Sequence, residues 1–301
     1  MVFLCGAIGS AGSEESGLDA CGLRGWNSRQ GYQYVAMGTY PYYENGTRAP
    51  VIWRVLAVED GKAFLLTEYV IGACQPIYCD SKSVADRKSY RRIDDYGESD
   101  MNTWLNEVMI QDIFTGDPLL AAVTEEQYGR LYPLSDKELM TEKYGFPNVR
   151  YFVHSERYAY ATPYALTLKL HPNYGSRVQK DSQNGTSAYW ATNLKQPGQI
   201  YLQIVGVDGH LSYGTLVRTS VGLRVALRLD TSLIQVASGS GTLFDPCTLA
   251  YVQDGRAAVA PGPAEATPQP ILPKKGKIKN TPQPDATPVP TPEWLEGALT
   301  P

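Results

Sequence analysis

The chain has 301 residues, 43% hydrophobic and 19% charged, with a net charge of -4. That length holds one large domain or two small ones around a buried core. The charge balance offers no basic face for nucleic acid, and no apolar run of about 18 residues is present to span a membrane as a helix.

At the start, MVFLCGAIGSAGSEE joins an apolar stretch to small residues around Gly9, Ser10 and Ala11, as in the back half of a secretory signal without its basic region. Residues 1–30 are read as a signal remnant and lead-in, and the expected location is extracellular or on the cell envelope. The five cysteines are Cys5, Cys21, Cys74, Cys79 and Cys247. Cys74 and Cys79 bracket a short loop and could be a disulfide or two free thiols. His154, His171 and His210 are scattered, so no zinc set forms, and no cofactor motif is present.

The folded region is expected over 31–236, as a single α+β domain with antiparallel sheets, two or more short helices and long loops. VIWRVLAVEDGKAFLLTEYVI is a hairpin turning at Asp60-Gly61. Ser99 or Asp100 caps a helix whose buried face is Met101, Trp104, Leu105, Val108 and Met109. Asp94, Asp95, Glu98 and Asp100 miss the spacing of a calcium loop and read as a solvated acidic turn. Ser135 and Glu138 form a capping box that announces a second helix. From Val149 to Ser187, residues rich in Tyr, Asn, Pro and Gly read as long loops. IYLQIVGVDGHLSYGTLVR is a second hairpin, turning at Asp208-Gly209.

SVGLRVALRLDTSLI, residues 220 to 234, alternates as one strand with Val221, Leu223, Val225, Leu227 and Leu229 on a core face. On its other face Arg224 lies between Gly222 and Ala226, two residues that leave room for close packing. If that face is covered, the guanidinium needs acceptors, for which Asp136 and Glu138 are candidates. Arg228, nearer the strand end, is expected at the surface. SGSG at 238–241 reads as a flexible joint within a linker over 237–256. Residues 257–301 carry eleven of the 21 prolines and read as an extended, disordered tail.

GTYPYY at 38–43, the first hairpin, WLN at 104–106, YPLSDKEL at 132–139, ATPYA at 161–165, YW at 189–190 and VGLRVAL at 221–227 occur in that order. Together they resemble the bacterial family called domain of unknown function 6273, over roughly residues 31–235. That family is similar, more remotely, to the C-type-lectin-like fold of formylglycine-generating enzymes. The resemblance implies structural roles for Trp104, Asn106, Ser135, Glu138, Gly222 and Arg224. It also implies a last strand inside the sheet beneath long loops. The family's arginine before the tryptophan-leucine-asparagine stretch is Asn102 here. Its leucine-arginine-serine after the aromatic pair is Ala191, Thr192 and Asn193, and its proline after glycine-x-arginine is Val225.

Tyrosine is abundant, 21 against 6 Phe, and suits half-buried strands as well as ligand surfaces. Tyr160, Tyr164, Tyr189, Trp190 and Asn193 lie in or beside the long loops, where recognition usually sits. The functional expectation is a binding module for a glycan or a peptide, with those five residues as its ligand contacts. No nucleophile elbow or phosphate loop supports a catalytic role. A formylglycine-generating-like enzyme and a purely structural surface domain are the alternatives.

Overall fold

The computed structural model describes residues 20–74, 93–171, 176–178, 180–181, 185–198, 201–215, 221–253 and 256–257. Cys5, Cys79, Asn173, Tyr174, Asn184 and the proline-rich tail beyond Ala257 lie outside these. Within them the protein is a mixed α/β fold with two main, mostly antiparallel sheets and few helices.

The strands in chain order are β1 (Gln33–Pro41), β2 (Arg48–Glu59), β3 (Lys62–Thr67), β4 (Gly72–Ala73), β5 (Lys169–His171), β6 (Ser176–Arg177) and β7 (Tyr189–Leu194). They continue as β8 (Tyr201–Val205), β9 (Leu211–Thr215), β10 (Gly222–Leu223), β11 (Ala226–Asp230), β12 (Ile234–Ser238), β13 (Cys247–Gln253) and β14 (Arg256–Ala257). The larger sheet has the order β11-β3-β2-β1-β13-β12, with β14 on β13; the smaller has the order β4-β10-β7-β8-β9. A two-stranded sheet pairs β5 with β6.

Both hairpins form where their turn residues stand. Asp60 and Gly61 have positive φ (52° and 71°) between β2 and β3, as a tight turn requires, and Gly209 (φ 77°) turns β8 into β9. The first helix begins at Asp100, where Ser99 Oγ accepts the Asn102 amide at 3.0 Å. It runs as α1 (Asp100–Trp104), a π turn (Leu105–Met109) and α2 (Ile110–Ile113). The wide π turn sets the buried stripe at intervals of four, so Met101, Leu105 and Met109 are fully buried. Trp104 and Val108 fall to the edge of that stripe and are only half-buried, which corrects their place in the predicted core face. Trp104→Ala is accordingly expected to cost about 1–2 kcal/mol, against about 3–5 kcal/mol for Trp190→Ala, whose ring is fully buried. Paired denaturant melts would check this.

Asn106 uses its amide fully. Nδ2 donates to the carbonyls of Asn102 (3.0 Å), Tyr128 (3.0 Å) and Leu131 (3.1 Å), while Oδ1 accepts from the amides of Arg130 (2.7 Å) and Leu131 (3.0 Å). It thereby fastens the 128–131 turn to the helix. The capping box is also present, with Ser135 N and Oγ at 2.7 and 2.8 Å from Glu138 Oε2. It opens two successive 3-10 turns, Glu138–Met140 and Glu142–Tyr144, in place of the expected second α-helix. Within the segment read as loops, Thr162 caps a short helix, α3 (Pro163–Thr167).

The stretch expected as a linker over 237–256 is part of the larger sheet as far as Gln253. β13 pairs in parallel with β1 and antiparallel with β12, and Cys247, Leu249 and Ala250 are buried. The SGSG stretch is an ordered turn, with Gly239 and Gly241 at positive φ and the Ser240 amide donating to Asp245 Oδ2 at 2.8 Å. The lead-in also enters the core through the buried side chains of Cys21 and Leu23.

The segment 220–234 is not one strand. β10 belongs to the smaller sheet and β11 to the larger, so the chain crosses between them at Arg224 and Val225. The chain from β3 to β4 makes the same crossing alongside. Ile71 N donates to Leu223 O at 2.9 Å, Thr67 N to Val225 O at 2.9 Å, and Val225 N to Thr67 Oγ1 at 3.1 Å. Gly222 is needed there because a β-carbon would overlap Val70 Cγ1. These paired crossings bind the two sheets into one body.

Arg228 is not a surface residue. Its guanidinium lies 3.8 Å from the Phe64 ring centroid and pairs with Glu59 (4.0 Å) and Glu126 (3.8 Å). The reason is that β11 pairs with β3, which puts Arg228 opposite Phe64 on a covered face. Glu59 also accepts from Lys143 and Glu126 from Lys62, each at 2.7 Å. The Lys143 hydrogen bond holds Glu59 below its ordinary carboxylate pKa. At Glu126 burial works the other way but is outweighed by the Lys62 hydrogen bond and its other donors. A depressed carboxylate pKa adds stability above the unfolded value and loses it as pH falls through the folded one. Stability is therefore expected to decline below about pH 4, with a shallower decline in Lys143→Met, as read by denaturant melts across pH.

Candidate functional site

The five residues expected to contact a ligand do not form one surface. Tyr189 and Trp190 stand side by side in β7, 1% and 0% exposed, and so take no part in a ligand surface. Their strand is covered on both sides, and the two rings enter opposite cores. Tyr189 Oη donates to Arg157 O at 2.9 Å and receives Arg224 Nη1 at 3.3 Å, while Trp190 Nε1 donates to Cys74 O at 2.9 Å. Tyr164 is half-buried edge-on to Tyr40, ring centroids 6.3 Å apart. Tyr160 is half-buried beside Thr186, to which it is bridged. Asn193 Oδ1 accepts the amide of Asp136 at 2.6 Å.

What does face solvent is a different stretch. Tyr151, Phe152 and Val153 are 76%, 70% and 59% exposed, three consecutive apolar side chains on one loop. Both ends of the loop are pinned to the β8–β9 hairpin, Leu211 N donating to Arg150 O at 3.0 Å and His154 N to Asp208 O at 3.2 Å. Beneath it lies Arg157, fully buried, which donates Nε to Leu139 O at 2.8 Å, Nη1 to Gly209 O at 3.4 Å, and Nη2 to Pro147 O at 2.7 Å and to Val149 O. One guanidinium thus ties together three stretches of loop. With no carboxylate partner among these contacts, burial lowers its pKa from the ordinary arginine value. Nothing in the run SERY marks this role, because its partners are backbone carbonyls from distant stretches.

Polar groups ring the loop. Arg150 Nη2 pairs with Asp136 Oδ2, His154 Nδ1 lies 2.6 Å from Glu156 Oε2, and His210 Nδ1 contacts Asp208 Oδ1. The side chain of Asp136 is therefore committed to Arg150 and that of Glu138 to its capping box, so neither is the partner expected for Arg224.

Next to Asp136 the β7–β8 ladder is irregular. Between the pairs Trp190↔Ile204 and Leu194↔Leu202, β7 takes four steps while β8 takes two, a bulge at Ala191, Thr192 and Asn193 opposite Gln203. Gln203 is fully buried, and neither atom of its amide has a hydrogen-bond partner among the described residues. Such a group is rare in a folded core.

The structure gives Arg224 a separate setting. It is fully buried, its Nε donating to Thr67 O at 2.8 Å and its guanidinium 5.4 Å from the Tyr189 ring centroid. The nearest carboxylate is Glu68, whose Oε2 is 3.9 Å from Nη2 and already holds Arg54 Nε and Nη2 at 2.6 Å each. Burial, and then repulsion from Arg54, lower the Arg224 pKa, whereas at Arg54 burial is outweighed by the Glu68 charge, the nearby Tyr32 and Tyr34 and the Glu68 hydrogen bond together, which raise it.

Among the described residues no group of three or more His, Cys, Asp or Glu is placed to hold a metal, and no helix is long and apolar enough to cross a membrane. Asp95 of the acidic turn accepts the Gly97 amide at 2.7 Å. Cys247 is a buried free thiol, Cys21 is buried and Cys74 is half-buried. No family model, no curated protein and no solved structure matches the chain.

Proposed function

We propose that the protein is an exported or surface-attached binding module of C-type-lectin-like fold, and that its ligand is a peptide segment docking on the loop at 151–153. The observation that carries this is the exposed Tyr151-Phe152-Val153 triplet with both ends hydrogen-bonded to the β8–β9 hairpin. A soluble protein rarely exposes consecutive large apolar groups without a partner for them. Holding such a loop on a rigid base limits the ordering entropy that binding must overcome. Phe152 and Val153 have no polar tip to serve sugar hydroxyls, so an apolar peptide side chain suits them better than a glycan. The Arg150–Asp136 and His154–Glu156 pairs supply a polar rim.

The C-type-lectin-like reading is supported by the glycine-x-arginine crossing under the loop region. The likeness to the domain of unknown function 6273 family rests on the ordered motifs. Peptide and glycan arrays probed with the full chain test the function. Peptide hits are expected, and Tyr151→Ser with Phe152→Ser should weaken them at least about tenfold, in line with loss of buried aromatic anchors. The same variants should melt within about 0.5 kcal/mol of the parent, since neither ring packs in the core. Hits confined to glycans, or peptide binding untouched by the two changes, would overturn the proposal.

A further inference from the structure

We propose that the crossing between the two sheets binds one small monovalent anion, of the halide class, against Arg224. Two guanidiniums, Arg54 and Arg224, share one carboxylate there. Arg54 takes it directly, with both of its contacts to Glu68 Oε2 at 2.6 Å. Arg224 Nη2 is 3.9 Å from the same oxygen, too far for a hydrogen bond, and has no other hydrogen-bond partner among the described residues. The residue is 0% exposed. Its remaining contacts, Thr67 O at 2.8 Å, Tyr189 Oη at 3.3 Å and the Tyr189 ring, are all neutral.

The crossing therefore buries one uncompensated positive charge together with one unpaired N–H. A water molecule would satisfy the N–H and leave the charge. An anion satisfies both. Because the guanidinium is wholly enclosed, the ion must be small enough to be enclosed with it, which sets aside phosphates and ligand carboxylates. The inference is independent of the loop-face reading, since none of these groups belongs to the 150–154 loop.

Crystals of the full chain soaked in bromide, with anomalous diffraction, test it directly. The expected result is a bromide peak within hydrogen-bond reach of Arg224 Nη2. Melting curves at fixed ionic strength give a second reading: replacing gluconate by chloride should raise Tm in the parent and leave Arg224→Met unmoved. If Arg224→Met fails to fold, the parent's bromide map decides alone. Water or empty density at Nη2, bromide at the surface as an adventitious ion only, or equal melts of parent and variant in the two salts would overturn the proposal.

Discussion

A chain ended after Ser240 is expected not to fold, whereas one ended after Ala257 should melt as the full chain does. The shorter chain lacks β13, which lies between β1 and β12 in the larger sheet. Its loss strips β1 of a ladder partner at Val35 and Ala36 and leaves β12 without its partner in that order. Three buried side chains go with it, those of Cys247, Leu249 and Ala250. The expected loss is comparable to the whole stability of an ordinary domain, about 5–15 kcal/mol. Circular dichroism and denaturant melts of the two truncations read the result. A cooperative, near-parental melt for the chain ending at Ser240 would mean that β13 is dispensable.

The second large effect is at Arg224. Arg224→Met is expected to cost about 2–4 kcal/mol, because it deletes the donor to Thr67 O and leaves Tyr189 Oη short of one partner in a dry site. Arg224→Lys should cost nearly as much. An ammonium cannot reach Thr67 O and Tyr189 Oη together as the planar fork does. The comparison residue is Arg228, whose pairings with Glu59 and Glu126 are longer and partly solvated. Arg228→Met is expected to cost only about 1–2 kcal/mol. Denaturant melts of all three decide it, and losses under about 0.5 kcal/mol at Arg224 would mean an open, solvated face.

Local chemistry was legible in the chain, and its long-range pairing was not. Asp60-Gly61, Ser99 and the Ser135–Glu138 box each act on residues within a few positions, so their turns and caps can be read directly. The period of two in residues 220–234 is a local signal as well, but it continues unbroken through the crossing at Arg224. One strand and two strands in different sheets look the same to it. β13 was missed because it follows a glycine-serine stretch and precedes a proline-rich one, and because its parallel partner β1 comes from the other end of the folded region.

The candidate site shows the same division. Composition pointed to the tyrosines, yet alternation cannot tell a strand covered on one face from one covered on both. Tyr189 and Trp190 therefore looked like ligand contacts and are core. Asn193 was singled out from sequence, but the bulge around it and the buried Gln203 opposite depend on the β7–β8 register. The exposed triplet gives no signal of its own, since Tyr-Phe-Val is also what a buried strand would contain. Only the carbonyl clamp by Arg157 shows that the chain leaves the core there and returns.

A rigid double crossing at Arg224 carries the exposed loop, and amide hydrogen exchange of the native protein reads that rigidity residue by residue. The amides of Thr67 and Val225 bond across the crossing, and they should exchange only with global unfolding, among the slowest in the molecule. The Phe152 amide, on the exposed loop, should exchange among the fastest. If Thr67 and Val225 instead exchanged as fast as Phe152, the crossing would be open and the loop would have no rigid base.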